Sequence, residues 1–435
     1  METAGFNIWW GLLGLLPLGV YVILVFRDMD PLPVTVLCVI IGAILTSQSL
    51  VSFATVMANA MGSFLALVGL IIMLGRGLGE VLTETKVSHA LVHKIIYSIG
   101  VDTENKAMFG MMIACLVVVG LLGTMAGGNA ILAPIILPIA AAAGLTRSTV
   151  GVLFQACGEE ALILGPFTPP VIALLGLTHT NYGEMLLKVA LPIAAVTLVT
   201  TWIVVHRIQK KTKGKNDYDI PENVDKFIPT HRENWTSVLF IVTFIAAVVY
   251  GIVMKAGTAY VIVVMLSLSL ITGLAGGLNI DRIFKLIIKG MAGNVGLFIL
   301  FLFLEPFMNF IEQAGGFKAL GLILQPFVNM GGKPFVAIIG GLTGAFGLTG
   351  ATVAVMKMLN DMFGTLVTQY GVSMAAWSVG LVVATRVANF VYPGSNMFSS
   401  MGFAESKDIK SMIKNGVIVA AMQIVFLIIY ANLFS

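Results

Sequence analysis

Charge is what this sequence has least of. Of 435 residues only 11% are Asp, Glu, Lys or Arg, whereas 58% are hydrophobic, and the mean hydropathy is +0.98. A water-facing surface needs roughly a quarter to a third of its residues charged, so a soluble globular domain is excluded. The chain reads instead as an all-α polytopic membrane protein whose first partner is the lipid bilayer. Cysteine is also scarce: Cys38, Cys115 and Cys157 lie in apolar runs without C-x-x-C spacing, which leaves packing rather than disulfides or a metal site. No nucleotide loop, GxSxG elbow or HExxH stands in a fitting context, so the chain is expected to be no enzyme and to use no ATP. The net charge of +4 makes no face for nucleic acid, because the basic residues sit in short connections between apolar runs. The first run, Trp9 to Phe26, has no basic region before it and no small-residue cleavage site after it, and is expected to remain as a span.

What is present is a repeat. A shift of roughly 226 to 229 positions lays the N-terminal half over the C-terminal half. Trp9 and Trp10 open an apolar run as Trp235 does, Ala90-Leu91 falls on Ala319-Leu320, and Gly176 with Lys188 falls on Gly402 with Lys414. Gly127 falls on Gly350 after a small indel. At about 20 apolar residues per helix, the first half divides into spans near 7–26, 32–50 and 62–82, an amphipathic stretch near 83–100, a broken pair near 108–144, and spans near 148–177 and 184–206. The second half repeats this near 236–253, 257–277, 293–313, 316–330, 334–370, 373–399 and 411–434. The domain expectation is therefore a first repeat over 1–206, a polar cytoplasmic linker over 207–234, and a second repeat over 235–435.

Met108 to Ser148 is short for two full spans and has Gly123-Thr124-Met125-Ala126-Gly127-Gly128-Asn129 at its middle, which predicts a re-entrant hairpin. Each half then crosses about five times, and the second copy is inverted. Counting Lys and Arg supports this orientation. With the linker inside, basic residues divide about 18 inside to 4 outside, and Lys188, Lys255, Lys318 and Lys333 are the outside group. Both termini are then outside.

Unwound backbone inside a membrane leaves amides and carbonyls unpaired unless it binds something or lines a cavity. Four such places stand out: Gly123 to Asn129, Phe346 to Thr352, Gly165 to Pro170, and Tyr392 to Asn396. Glycine permits the turn, proline removes a donor, and Thr, Ser or Asn places oxygens beside freed carbonyls. These breaks nominate Gly127, Gly128, Asn129, Thr168, Thr349, Gly350, Thr352, Ser395 and Asn396, together with Arg386 and Asn389, as substrate-binding residues. Asn129, Thr168, Thr352 and Ser395 are the candidate Na⁺ ligands; no other metal and no cofactor is expected. The structural alternative is that these glycines and prolines only kink helices or let them approach closely.

Ionisable residues at membrane depth are functional candidates because they are costly there. The strongest group is Glu159 and Glu160 with Arg386: Glu160 and Arg386 fall at matching places just before the breaks, and an inverted twofold would bring them together. One carboxylate would carry a proton while Arg386 pairs with the other or with a substrate carboxylate; the alternative is a structural ion pair. Thr124 and Asp361 complete the ion-coupling set, and Asp361 stands four residues after Lys357 on one helix face. Arg76 and Glu305 form a second matched pair, read as structural scaffold. His89 and His93 stand four apart without a third metal ligand, beside Lys86 and Lys94, which fits a headgroup-facing helix; His179 reads as a loop residue or a proton relay.

Gly79-Glu80-Val81-Leu82-Thr83-Glu84-Thr85, the amphipathic stretch after it, and the tip Gly127-Gly128-Asn129 ahead of Pro134 and Pro138 resemble the ion transporter superfamily. That group includes divalent anion/sodium symporters, CitMHS-type citrate carriers, gluconate permeases, TRAP membrane subunits and NhaC-type sodium/proton antiporters. The layout covers nearly the whole chain. The symporters' Ser-Asn-Thr motif is replaced by Gly128-Asn129-Ala130 and Ala351-Thr352-Val353, which leaves sodium coupling and dicarboxylate specificity open. The resemblance implies an elevator-type carrier, often a homodimer, in a bacterial or archaeal plasma membrane. The function expected is H⁺- or Na⁺-coupled transport of a small organic anion or amino acid, with a sodium/proton antiporter as the main alternative. A channel or the membrane subunit of a binding-protein-dependent carrier is the third.

Overall fold

The computed structural model describes residues 7–25, 27, 29–99, 103–219, 227–344 and 351–435. Among these, the fold is entirely helical apart from one bridge between Thr146 and Asp217. In the first half α1 (Ile8–Gly14) and α2 (Leu16–Val25) make one span, followed by α3 (Pro31–Leu45), α4 (Leu50–Ala60), α5 (Phe64–Glu84) and α6 (Val87–Ile99). Then come α7 (Glu104–Leu122), α8 (Met125–Ala142), α9 (Arg147–Leu164), α10 (Pro169–Thr178), α11 (Tyr182–Met185), a π-helical turn at Leu186–Ala190, and α12 (Leu191–Thr212). The second half holds α13 (His231–Val253), α14 (Tyr260–Ala275), α15 (Ile280–Ala292), α16 (Val295–Gln313) and α17 (Gly316–Thr343). It ends with α18 (Thr352–Tyr370), α19 (Met374–Val391), α20 (Ser395–Phe403) and α21 (Ile409–Phe434).

The order repeats. α13 stands for α1–α2, then α14, α15 and α16 for α3, α4 and α5; α17, divided at Gly332 (φ +67°), stands for α6 and α7. α18, α19, α20 and α21 stand for α8, α9, α10 and α12. Packing follows the same exchange: α3 lies on α16 as α14 lies on α5, and α7 lies on α8 and α9 as α17 lies on α18 and α19. α5 packs against α16, and α12 against α21, each against its own counterpart, as elements beside a pseudo-twofold axis must.

Among the described residues eleven helical segments are long and apolar enough to cross a membrane. The hairpin is longer than its sequence suggested. Its legs, α7 and α8, have 19 and 18 residues, about 28 Å each at 1.5 Å per residue, close to the bilayer core. Gly123 closes it at φ +67°, in the left-handed region that ends many helices. Because both legs return to one side, each half still crosses an odd number of times, and the copies are inverted.

Two elements escaped the sequence reading, α4 and α15, again at matching places. α15 is 13 residues long and buries Ile283, Leu286, Ile287 and Gly290 on one stripe, with Arg282, Lys285 and Lys289 outside it. At about 20 Å it is too short to span, and it lies against α5. At the centre, every residue from Ser148 to Ile163 of α9 and from Ala376 to Phe390 of α19 is buried.

The linker is shorter than its expected 207–234, because α12 runs on to Thr212 and α13 begins at His231, and the residues directly after α12 dock on the bundle. Lys213 pairs with Glu104, Arg147 donates to the Asp217 carbonyl at 2.8 Å and lies over the Tyr218 ring, and the Tyr218 hydroxyl donates to the Ala404 carbonyl at 2.7 Å. Asn216 donates to Ser148 Oγ at 2.8 Å, and Ser148 donates to Asp408 at 2.9 Å. The ends of α7, α9 and α21 are thereby tied together.

A Cβ at Gly290 would lie 2.6 Å from the Arg76 carbonyl oxygen and from the Gly77 Cα, whereas one at Gly296 would meet nothing within 4 Å. Gly290→Ala should therefore destabilise by about 1–3 kcal/mol and lower the melting temperature in detergent, with Gly296→Ala unchanged or slightly raised. At the start of α21, burial pushes the Asp408 carboxyl up, but hydrogen bonds from Ser411 and Ser148 and the nearby Lys211 outweigh it and hold it below its ordinary range. That contribution is complete above the unfolded value of about 3.9 and fades as pH falls through the lower folded value. Asp408→Asn should thus melt earlier than the parent at pH 7, and the gap should close in acid.

Candidate functional site

The first helix break is forced by close approach. At Gly165 a Cβ would lie 2.4 Å from the Gly120 carbonyl oxygen and 2.5 Å from Thr168 Cγ2, so α7 crosses the break only over a glycine. The Thr168 hydroxyl reaches back to the carbonyls of Leu162 (2.5 Å) and Gly165 (2.9 Å), covering acceptors that the end of α9 leaves free. Pro169 then starts α10, where a missing N–H is harmless. In the second half α19 ends before Tyr392, and Gly394 leads into α20.

Glu159 and Arg386 meet between these breaks. Helix ends in the two copies place Glu159, not Glu160, opposite Arg386, 227 residues on; the sequence alignment was one residue out. Both side chains are fully buried. Arg386 Nη1 pairs with Glu159 Oε2 and donates to the Glu159 carbonyl at 2.7 Å. Asn389 donates to Oε2 at 3.1 Å and Asn396 to Oε1 at 2.8 Å, so three side chains from the second half surround one carboxylate of the first. A buried charge persists only with such a set of partners.

Glu160 points elsewhere. Its Oε1 accepts from Gln423 at 3.5 Å, Gln423 also donates to Thr197 at 2.7 Å, and Glu160 Oε2 has no partner among the described residues. Gln423 and Thr197 stand 226 residues apart on α21 and α12, again symmetric places. A further chain links Asn129 to Ser400 (3.3 Å), Ser400 to Gln155 (3.3 Å), and Gln155 to the Asn389 carbonyl (3.2 Å). Sequence reasoning passed over Gln155, Ser400, Thr197 and Gln423. The available signal was spacing: Gln155 precedes Glu159 by four and Ser400 follows Asn396 by four, so each shares a helix face with a nominated residue.

Beside this core lies a cavity of about 570 Å³. Thr124, Gly127, Pro169, Pro170, Thr352 and Asn396 line one side; Ile72, Arg76, Leu297 and Phe301 of α5 and α16 line the other. Of the nominated residues, Thr124, Gly127, Thr352 and Asn396 reach it. Asn129, Glu159, Thr168, Arg386 and Asn389 are buried outside its lining, and Gly128 is packed on Val119, where a Cβ would lie 2.4 Å from Cγ2. Ser395 is exposed away from the lining, and Asp361 is held by Lys357 at 2.6 Å. Thr349 and Gly350 lie outside the described residues. The four candidate Na⁺ ligands are not joined into one cluster: Asn129 turns to Ser400, Thr168 to backbone carbonyls, Thr352 to Asn389, and Ser395 to the exposed surface.

Arg76 does not pair with Glu305. Its Nη1 donates to the Gly293 carbonyl (3.0 Å) and to Asn294 Oδ1 (3.1 Å), and among the described residues no carboxylate lies within ion-pair distance. His89 lines the cavity rather than only facing headgroups, whereas His179 caps α10 at φ +52° as a loop residue. Among the described residues no cluster of His, Cys, Asp and Glu has metal-binding geometry.

No protein-family model and no curated protein matches this chain. Among solved structures, the Alcanivorax borkumensis YdaH transporter, reported for its unusual topology, is similar with a TM-score of 0.56 at 15% identity over 98% of each chain. At that identity the likeness shows the fold alone: the chain shares the polytopic helical architecture of that structure, and no family is selected.

Removing one member of the central pair should be severe and removing both mild. Arg386→Met should cost about 3–5 kcal/mol by thermal unfolding in detergent, and Glu159→Gln added to it should recover much of that loss.

Proposed function

We propose that this chain is an ion-coupled secondary transporter of a small organic solute, an anion or an amino acid, working by elevator-type alternating access. The observation that carries this reading is the cavity of about 570 Å³, within the ~300–1,000 Å³ usual for small-molecule sites. Its walls come from three sources: the first hairpin tip and first break, their second-half counterparts at Thr352 and Asn396, and the α5–α16 pair. Placement where inverted repeats and broken helices meet is what alternating access requires. Packing supports a moving part: α7–α10 and α17–α20 interlock among themselves and with α12 and α21 and touch α5 and α16 only sparsely, their closer neighbours on the other side being α1 on α17 and α6 on α7 and α8.

For coupling, the same geometry favours a proton on Glu160. Glu159 already has Arg386, Asn389 and Asn396, while Glu160 has a long contact from Gln423, the Thr197 hydroxyl, and an Oε2 with no partner among the described residues in the buried core. A carboxyl with no cation of its own is stable there when protonated and must find water or a partner when ionised. A sodium/proton antiporter would use the same two glutamates, but Arg386 beside Glu159 repels a cation there.

Reconstituted vesicles separate these readings. Saturable accumulation of an organic solute under an imposed H⁺ or Na⁺ gradient fits the carrier, and Na⁺-driven proton movement with no organic solute fits the antiporter. Flux without saturation fits a channel, and uptake only with an added soluble receptor fits the membrane subunit of a larger carrier. Glu160→Gln should abolish proton-driven accumulation while leaving solute exchange intact, and unchanged accumulation in that variant would remove Glu160 from the coupling.

A further inference from the structure

We propose that the cavity selects a small carboxylic acid carrying one negative charge on an apolar body, with Arg76 as the residue that binds the carboxylate. The inference rests on the carrier reading for its purpose, but its argument is the chemistry of the wall. Most of that wall is apolar: Ile72, Leu122, Ile131, Leu162, Leu297 and Phe301. Among the described residues three titratable side chains line it, Arg76, Glu80 and His89.

Their charges do not cancel. Glu80 is taken by Lys289, whose Nζ lies 2.8 Å from Oε2. Burial, then the Lys86 ammonium, lowers the His89 pKa, against a smaller opposing effect of Glu233, so the ring is neutral at pH 7. Arg76 is left as a full positive charge whose two hydrogen bonds both come from Nη1. The Nε–Nη2 edge, the one that grips a carboxylate with two parallel bonds, is unengaged among the described residues. A second carboxylate on the ligand would meet no second free cation among the described lining residues, only apolar side chains, the neutral side chains of Thr83, Thr124, Asn294, Thr352 and Asn396, and the Glu80 carboxylate, and an ammonium would find Glu80 already paired.

The guanidinium is also held in position. It lies against Gly293, where a Cβ would come within 2.5 Å of Cζ and 2.8 Å of both terminal nitrogens. A side chain at Gly293 would have to displace the Arg76 guanidinium. The substitution Gly293→Ala moves the charge without removing it.

The test uses one apolar body with four head groups: phenylacetate, phenylacetamide, phenylmalonate and phenylalanine. Detergent-purified full-length protein should be stabilised against heat by phenylacetate, and by the neutral amide, the dianion and the zwitterion only at about tenfold higher concentration or not at all. Arg76→Gln should weaken the phenylacetate response at least about tenfold, Arg76→Lys should fall between, and Gly293→Ala should weaken it with the charge retained. Phenylmalonate or phenylacetamide stabilising as well as phenylacetate would overturn the proposal without any variant, as would an unchanged response in a folded Arg76→Gln. If vesicles accumulate some other solute and Arg76→Gln leaves its KM unchanged, the carrier reading stands and this inference falls. If phenylacetate binds through Arg76 yet no solute is accumulated, the site stands and the carrier reading falls.

Discussion

The structure hangs on one buried salt bridge. Arg386 and Glu159 sit at equivalent positions of two fully buried helices, and the four side chains that meet there come from both halves and from both sides of the second break. An unpaired charge at that depth would be intolerable, so the carboxylate holds α9 and α19 in register through Oε2 and draws Asn396, at the start of α20, onto Oε1. The broken helices are therefore tied to one another by their own chemistry.

Around this point the chain solves a backbone problem repeatedly. A break frees carbonyls and amides in a medium that offers no water, and at the first break nearby side chains satisfy them: Thr168 for Leu162 and Gly165, and Tyr182 for Leu164 at 2.6 Å. Part of what remains polar faces the cavity or joins a network such as Asn129–Ser400–Gln155, while Glu160 Oε2 and Arg386 Nε and Nη2 are buried with no partner among the described residues. Rigidity in the core and an open, mostly apolar chamber beside it follow from the same requirement.

Much of this was legible in the sequence, because glycine and proline are physical punctuation and the repeat doubles each signal. The break at Gly165–Pro170, the tip at Gly123 and the pairing of a glutamate with Arg386 could all be read there. Which glutamate could not: adjacent residues differ by about 100° around a helix, and an alignment uncertain by one position cannot choose between Glu159 and Glu160. α4 and α15 were hidden because a 20-residue ruler absorbs short amphipathic helices into connections. Arg76 was misread for another reason: its partners are a backbone carbonyl and an asparagine at the α15–α16 junction, and a carbonyl acceptor leaves no trace in residue types.

The placement of Glu159 and Arg386 also bears on how such a chain comes to exist. In an assembly of two identical copies related by a twofold axis, equivalent positions carry the same residue, so the axis would bring glutamate against glutamate or arginine against arginine. Opposite charges at one repeat position are open only to copies that have diverged, and joining them in one polypeptide keeps each sequence matched to the other. The central bond is thus a product of lost symmetry, and a symmetric reconstruction built from either half alone would have to hold its core by some other interaction.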